Sequence, residues 1–358
     1  MTHAPSRTLQ HGGRAFLASA LRLLPLCLLL LAQACDDAPQ RKPAAVGGDG
    51  EVLVVMNKAH WDGPPGALVR SVLEQDMPHM TRPEPRFTVA QVAPGQFASL
   101  LQGHHSVIVA VISGEADSVA LRIQRDVHAT GQLLMQASAY DPETWMDLFQ
   151  RQAGTVAEAF EQHQRNRIAA RVKGTQDAAL VSSLRAAMGL ELAVPGGYRV
   201  VEQTPRFAWL QRDRMVRGGG LEHNVIEGLL IHRHPYRSDS TFSAPYLVEL
   251  RDSVTRAFVE GPDPGSYMIV QRAFEQLDLM PTGRETVLDG RFAYVMHGLF
   301  GMEGAKMGGP FVSLSTLDPA GTELITVEGF VYAPQFNKRE YLRELEAILY
   351  SLRSVAGS

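Results

Sequence analysis

The sequence predicts an α+β fold: two mixed sheet-plus-helix halves joined by a helical hairpin. Three observations lead there. Short β-rich runs recur on both sides of residues 142–189, and inside that segment the apolar residues return at three- and four-residue steps instead. A hydrophobic content of 45% against 20% charged is that of a chain that buries a core.

The first half begins abruptly at Glu51–Met56, a run of valine, leucine and methionine long enough for a buried strand. WDGPPG (61–66) is a turn, and Ala67–Gln75 has helical spacing at Leu68 and Val72. Arg86–Val92 alternates like a half-covered strand. A short helix at Gln96–Leu101 precedes strands at Ser106–Ile112, Val119–Val127 and Gln132–Ala139, which bounds a domain at 51–140. Asp141 then suits an N-cap and Pro142 the first helical position, where a missing N–H costs nothing. Trp145, Leu148, Phe149, Val156 and Phe160 form one apolar stripe. Lys173-Gly174 interrupts it, and a second helix runs to Met188 with Gly189 as its C′ residue, giving a hairpin over 141–189.

The second half, 190–358, returns to strands at Tyr198–Val201, Phe207–Gln211, Asn224–His232, Tyr267–Arg272, Arg291–Met296, Phe311–Ser315 and Leu324–Val331. A helix interrupts them at Ala244–Phe258. The last helix shows capping-box spacing at Asn337 and Glu340, and a stripe of Leu342, Leu345, Leu349 and Leu352.

The start of the chain predicts where the protein lives. Arg7, Arg14 and Arg22 precede an apolar run from Leu23 to Ala32, too short to span a bilayer. A basic start and a short greasy middle make a secretory signal over 1–34. Ala32-Gln33-Ala34-Cys35 resembles the lipobox of bacterial lipoproteins, which implies cleavage after Ala34 and acylation of Cys35. Two or three acyl chains anchor a protein durably, where one does not. Residues 35–50, polar and Pro/Gly-containing, read as a lipidated flexible tether. The membrane, reached through that lipid, is then the first expected partner, with the outer membrane favoured over the inner. Without the three signal arginines, 31 basic residues face 38 acidic ones, a formal charge of −7. That balance argues against nucleic acid as a partner. With Cys27 in the signal and Cys35 capped, no disulfide or cysteine metal site is available.

Several ordered strings carry a wider resemblance: EVLVVMNKAHWDG (51–63), PEPRF (83–87), PGGY (195–198), FAWL (207–210), HPY (234–236), LRD (250–252), SYM (266–268), MGGPF (307–311), EGFVYAP (328–334) and KREYLRELEAILYS (338–351). Together they resemble an uncharacterised family of bacterial envelope lipoproteins, known only as a domain of unknown function. The resemblance implies an envelope lipoprotein and carries over no catalytic or binding residue. One departure shows: His297-Gly298-Leu299-Phe300 stands where the family pattern has Arg-Gly-Leu-Trp.

Two regions hold the candidate chemistry. His232 and His234 end a strand two residues apart, so both rings face one side; with Glu222 or Asp239 they would suit an open zinc site. Tyr236 follows at once, and a solvated strand end is the plainer reading. Gly308-Gly309 in MGGPF allow positive φ and exposed N–H groups, with His297, Glu303 and Lys306 nearby. No phosphate-loop lysine follows, so a tight packed turn is the plainer reading there. His104-His105 reads as a loop pair with rings on opposite faces. There is no G-x-S-x-G and no H-E-x-x-H. No cofactor, metal or catalytic residue is therefore assigned. The expectation is a non-enzymatic binding or assembly lipoprotein, with an envelope protein as a second partner. The alternative is an envelope hydrolase, metal-dependent in one version, using residues 232–237 and 297–310.

Overall fold

The computed structural model describes residues 41–355. The expected signal, Cys35 and most of the tether lie outside the described residues. From Ala44 onward the chain forms one compact unit.

Its first sheet runs β2 (Thr88–Val92), β1 (Glu51–Val55), β3 (Ser106–Ile112), β5 (Leu133–Ala139), β4 (Ala120–Arg125). β2, β1, β3 and β5 pair in parallel, and β4 closes the edge antiparallel to β5. Val52 and Val54 pack with one face's core, Leu53 and Val55 with the other's, so β1 needs apolar residues throughout. Helices α1 (Lys58–Asp62) and α2 (Pro64–Leu73) connect β1 to β2.

Three helices follow: α3 (Pro142–Arg151), α4 (Ala153–Gly174) and α5 (Ala178–Met188). Asp141 caps α3 as expected, its carboxylate accepting the Thr144 N–H at 2.8 Å. Gly189 ends α5 in the left-handed conformation at φ 63°. The long α4 serves both halves: Val156, Ala157 and Phe160 join the first core, Ile168 and Val172 the second.

The second sheet is antiparallel and has eight strands, after a short β6 (Leu190–Glu191). They are β7 (Arg199–Gln203), β8 (Phe207–Gly218), β9 (Leu221–Pro235), β10 (Tyr267–Val270), β13 (Thr282–Leu288), β14 (Arg291–Glu303), β15 (Ala305–Leu317) and β16 (Glu323–Tyr332). The order is β10-β14-β15-β16-β9-β8-β7, with β13 also on β14. β11 (Ala273–Phe274) pairs β12 (Leu277–Asp278), and β17 (Arg353–Ser354) pairs β6. One face carries α4, α5 and α7 (Arg339–Leu349), the other α6 (Ala244–Phe258).

Four local expectations are corrected. MGGPF is not a turn: Gly308 and Gly309 sit inside β15, opposite Gly301 and Phe300. A Cβ on Gly309 would lie 2.0 Å from the Val331 carbonyl oxygen, and one on Gly308 2.7 Å from that of Phe300. Close backbone packing, not positive φ, requires these glycines. The rings of His104 and His105 stack at 4.7 Å rather than diverging, because their strand starts only at Ser106. The expected tether ends earlier than 50: Ala44 and Val46 bridge Thr130 and His104, and the Gly48 carbonyl faces His105 Nε2 at 2.8 Å.

The fourth correction concerns α7. Its first N–H groups are satisfied not by Asn337 or Glu340 but by Glu84, 2% exposed, from the first half. The Glu84 carboxylate accepts from Lys338 N at 2.8 Å and Arg339 N at 2.7 Å. A negative group there meets unpaired donors and the positive helix end. This contact ties the two halves together and sets the position of α7.

Candidate functional site: an arginine-lined cleft

Where α7, α4, β13, β14 and the 77–86 loop meet, a cleft of about 260 Å³ opens. Arg86, Arg165, Arg284 and Arg343 line it, with His297, Glu161 and Glu346. The α7 stripe of Leu342, Leu345 and Leu349 packs inward, which leaves Arg343 and Glu346, one residue on from Leu342 and Leu345, beside the cleft. β14 alternates, so Met296 enters the α6-side core and His297 the opposite side.

The contacts hold these groups without neutralising them. Arg86 Nε pairs with Glu161 at 3.0 Å, and Arg165 Nη1 with Glu346 at 3.0 Å. The Arg165 guanidinium lies 4.0 Å over the Tyr350 ring, which fixes its plane. His297 Nε2 stands 3.9 Å from the other Glu346 oxygen. Burial alone would raise Glu346, but contact with His297 and the charges of His297, Arg165 and Arg284 hold it down at about 2. Arg343 donates to the Arg86 main-chain oxygen, and Glu340 lies 3.7 Å from its Nη1. Burial pulls Arg343 below the usual guanidinium range, and its buried Nη1 has no hydrogen-bond partner among the described residues. Arg284 is exposed at the mouth and makes no side-chain hydrogen bond among the described residues. Four guanidiniums against two carboxylates leave the cleft net positive. Such an array suits a carboxylate or phosphate, which guanidinium forks bind in bidentate fashion.

At the rim, His79 Nε2 accepts from the Thr282 N–H at 3.2 Å and lies 2.8 Å from the Thr282 hydroxyl oxygen. Burial, then the charge of His297, lowers its pKa.

The sequence candidates do not come together. His232 is buried on the α6 side of the sheet, in a polar spot with Ser313, Ser315, Thr326 and the Arg251–Glu328 pair. Its ring lies 5.0 Å from that of His234, so the two do share a side. Burial, with the charges of His234 and Arg251, pushes His232 down to about 3. Arg251 and Glu328, 3% and 1% exposed, join through two bonds of 2.7 and 2.8 Å. Tyr236 is a surface residue whose hydroxyl donates to Asp239. Glu222 lies at the far end of β9, paired with Arg217 of β8. Among the described residues no group of three or more His, Cys, Asp or Glu could hold a metal ion. Lys306 and Gly308 line a separate shallow site with Thr81, Arg82 and Lys338, at the β14–β15 hairpin end of the sheet, near Glu303. Of the sequence candidates, only His297 reaches the cleft.

Sequence reading missed Arg86, Arg165, Arg284, Arg343 and Glu346, because no spacing unites residues from four elements. A signal was present, however. PEPRF contains both Glu84 and Arg86, and KREYLRELEAILYS contains Arg343, Glu346 and Tyr350.

Residues 177–351 match the family model described as domain of unknown function DUF4837, and residues 45–173 match domain of unknown function DUF8532. Neither match reaches half of the chain. Their boundary falls at the end of α4, so the cleft draws residues from both matched regions. No curated protein matches the chain. Among solved structures, the Ran-binding protein Mog1p of Saccharomyces cerevisiae aligns at 12% identity and TM-score 0.28, over 47% of this chain and 90% of that one. A Bacteroides thetaiotaomicron protein aligns at 7% identity and TM-score 0.19, covering 46% and 45%. An uncharacterized Rhizobium leguminosarum protein aligns at 13% and 0.17, covering 35% and 91%. Likeness at this level carries no argument about fold or function.

Proposed function

We propose that the protein is a non-enzymatic lipoprotein of the bacterial cell envelope, anchored through Cys35, whose cleft binds an anionic group of a ligand or partner. The anchor rests on the basic start, the short apolar run and the lipobox-like Ala32-Gln33-Ala34-Cys35. The observation that carries the binding reading is the convergence of Arg86, Arg165, Arg284 and Arg343 on one cleft of an otherwise acidic chain. Glu346, kept ionised by His297 and Arg165, orients Arg165 and leaves the exposed Arg284 for the guest.

The hydrolase alternative rests on residues 232–237 and 297–310, whose His232 and His297 lie in separate sites. A further His–hydroxyl contact at the rim is that of His79 with Thr282. There the imidazole nitrogen nearest the hydroxyl also faces the Thr282 main-chain N–H, and no carboxylate orients the other ring nitrogen among the described residues. That arrangement fixes a loop rather than activating a nucleophile.

Melting the detergent-solubilised protein with chloride, phosphate, citrate and pyrophosphate at constant ionic strength tests the cleft. Polyvalent anions should raise Tm in the wild type and less so in Arg284→Ser. Equal shifts in both proteins contradict the reading. Mass spectrometry of the amino terminus tests the anchor, and an unmodified Cys35 sinks it.

A further inference from the structure

The cleft is one end of a longer groove. Beyond Arg165, which lines both parts, a space of about 760 Å³ continues between α4, α5 and residues 286–289 of β13. One wall is the α4 surface, including Asn166, Ala169, Ala170 and Lys173. The other is β13, which pairs with β14 along Thr282–Leu288 and, among the described residues, with no strand on its other edge. Among the described residues, the outward main-chain bond of β13 is that of Thr282 N–H to His79, so Gly283–Leu288 present an open edge. An open edge is a template for another strand. Seven residues of strand extend about 23 Å, the length of an extended peptide rather than a metabolite.

The charge selects the occupant. Along both parts of the groove seven cations, the four cleft arginines with Lys173, Arg185 and Arg353, face four carboxylates. A second copy of this chain laid edge to edge would set these cations against their own kind. An acidic strand meets them with opposite charge, gaining main-chain bonds from the edge and register from the arginines.

Building on the anion-binding reading above, we infer that the groove takes an extended acidic segment of a partner protein, which adds to β13 as a further strand with a carboxylate seated against Arg284. The main chain of β13 supplies the affinity common to any strand, and the arginine end selects for Asp or Glu.

The test uses the full chain in detergent and a displayed library of short random peptides. Selected peptides should be rich in Asp and Glu alternating with β-branched residues, and should slow hydrogen exchange at Gly283–Leu288. Two synthetic forms of one selected peptide, N-methylated on alternate residues in the two possible phases, separate the causes. Strand addition predicts that one phase loses about tenfold or more in affinity while the other is spared, since only alternate amides face the edge. If both phases bind like the parent, or β13 exchanges unchanged, strand addition is overturned, while loss of binding in Arg284→Ser still upholds the anion cleft. If Arg284→Ser binds the peptides unchanged, the anion reading itself falls. No enrichment over Arg284→Ser, or protection that appears with protein concentration alone, overturns the peptide as occupant.

Discussion

Removing the Glu84 carboxylate should loosen both halves at once. Glu84→Ala deletes the acceptor for two N–H groups at the start of α7, one of them on the buried Lys338. A buried donor left unsatisfied costs about 1–3 kcal/mol, and losing a negative group at a helix N-terminus adds about 0.3–1 kcal/mol. The two donors and the dipole together give a loss of about 3–5 kcal/mol, or roughly 5–8 °C in Tm for a body of this size. Glu84→Gln keeps an oxygen acceptor and should lose about half as much. Urea unfolding followed by circular dichroism measures all three proteins. Because α7 carries Arg343 and Glu346, Glu84→Ala should also weaken citrate binding although Glu84 is not among the cleft-lining residues. A Glu84→Ala stability within 0.5 kcal/mol of wild type (about the scatter of surface substitutions) would refute the bridging role, and Gln as damaging as Ala would refute the capping chemistry.

Three further outcomes follow from the same geometry. Arg251→Met should cost about 3–5 kcal/mol by leaving Glu328 buried and unpaired, while Arg251→Met with Glu328→Leu should recover most of it; equal losses in urea unfolding would argue that packing, not charge, dominates. His105, His163 and His232 are held neutral by burial, at about 3, 4 and 3 against the ordinary 6.5. An unfolded chain therefore takes up protons below pH 6.5 that the fold refuses, so stability is full above 6.5 and falls toward pH 4 by about 2–4 kcal/mol per unit; identical urea midpoints at pH 7.5 and 5.5 would contradict this. Gly309→Ala should destabilise by several kcal/mol, since its Cβ would meet the Val331 carbonyl, whereas Gly131→Ala at an open position should cost only the strain of its φ of 82°; similar thermal melts for the two would remove the packing argument.

Much of the fold was legible because local chemistry decided it. Asp141-Pro142 and Gly189 mark helix ends through their own backbone preferences, and the β1 run records burial on both faces. The errors arose where a distant residue overrode the local one. Asn337 and Glu340 have the spacing of a cap, yet Glu84, 254 positions earlier, reaches the helix end. MGGPF looks like a turn because glycine and proline usually mean one, but here neighbouring strands approach too closely for a side chain. The cleft was the least legible feature. Its arginines lie at 86, 165, 284 and 343, each plausible alone as a solvated surface charge, and only the packing of the two halves brings them together. His297 was found for its place beside MGGPF, although β14 sends it to the cleft instead.

Calorimetric titration of citrate into the detergent-solubilised full chain, at fixed ionic strength, tests the anion cleft most directly. A single saturable site in the wild type, weakened about tenfold by Arg284→Ser, is the result expected for loss of one charge-assisted contact. Heats that match simple dilution, or an unchanged affinity in Arg284→Ser, would mean that the four arginines serve the fold alone.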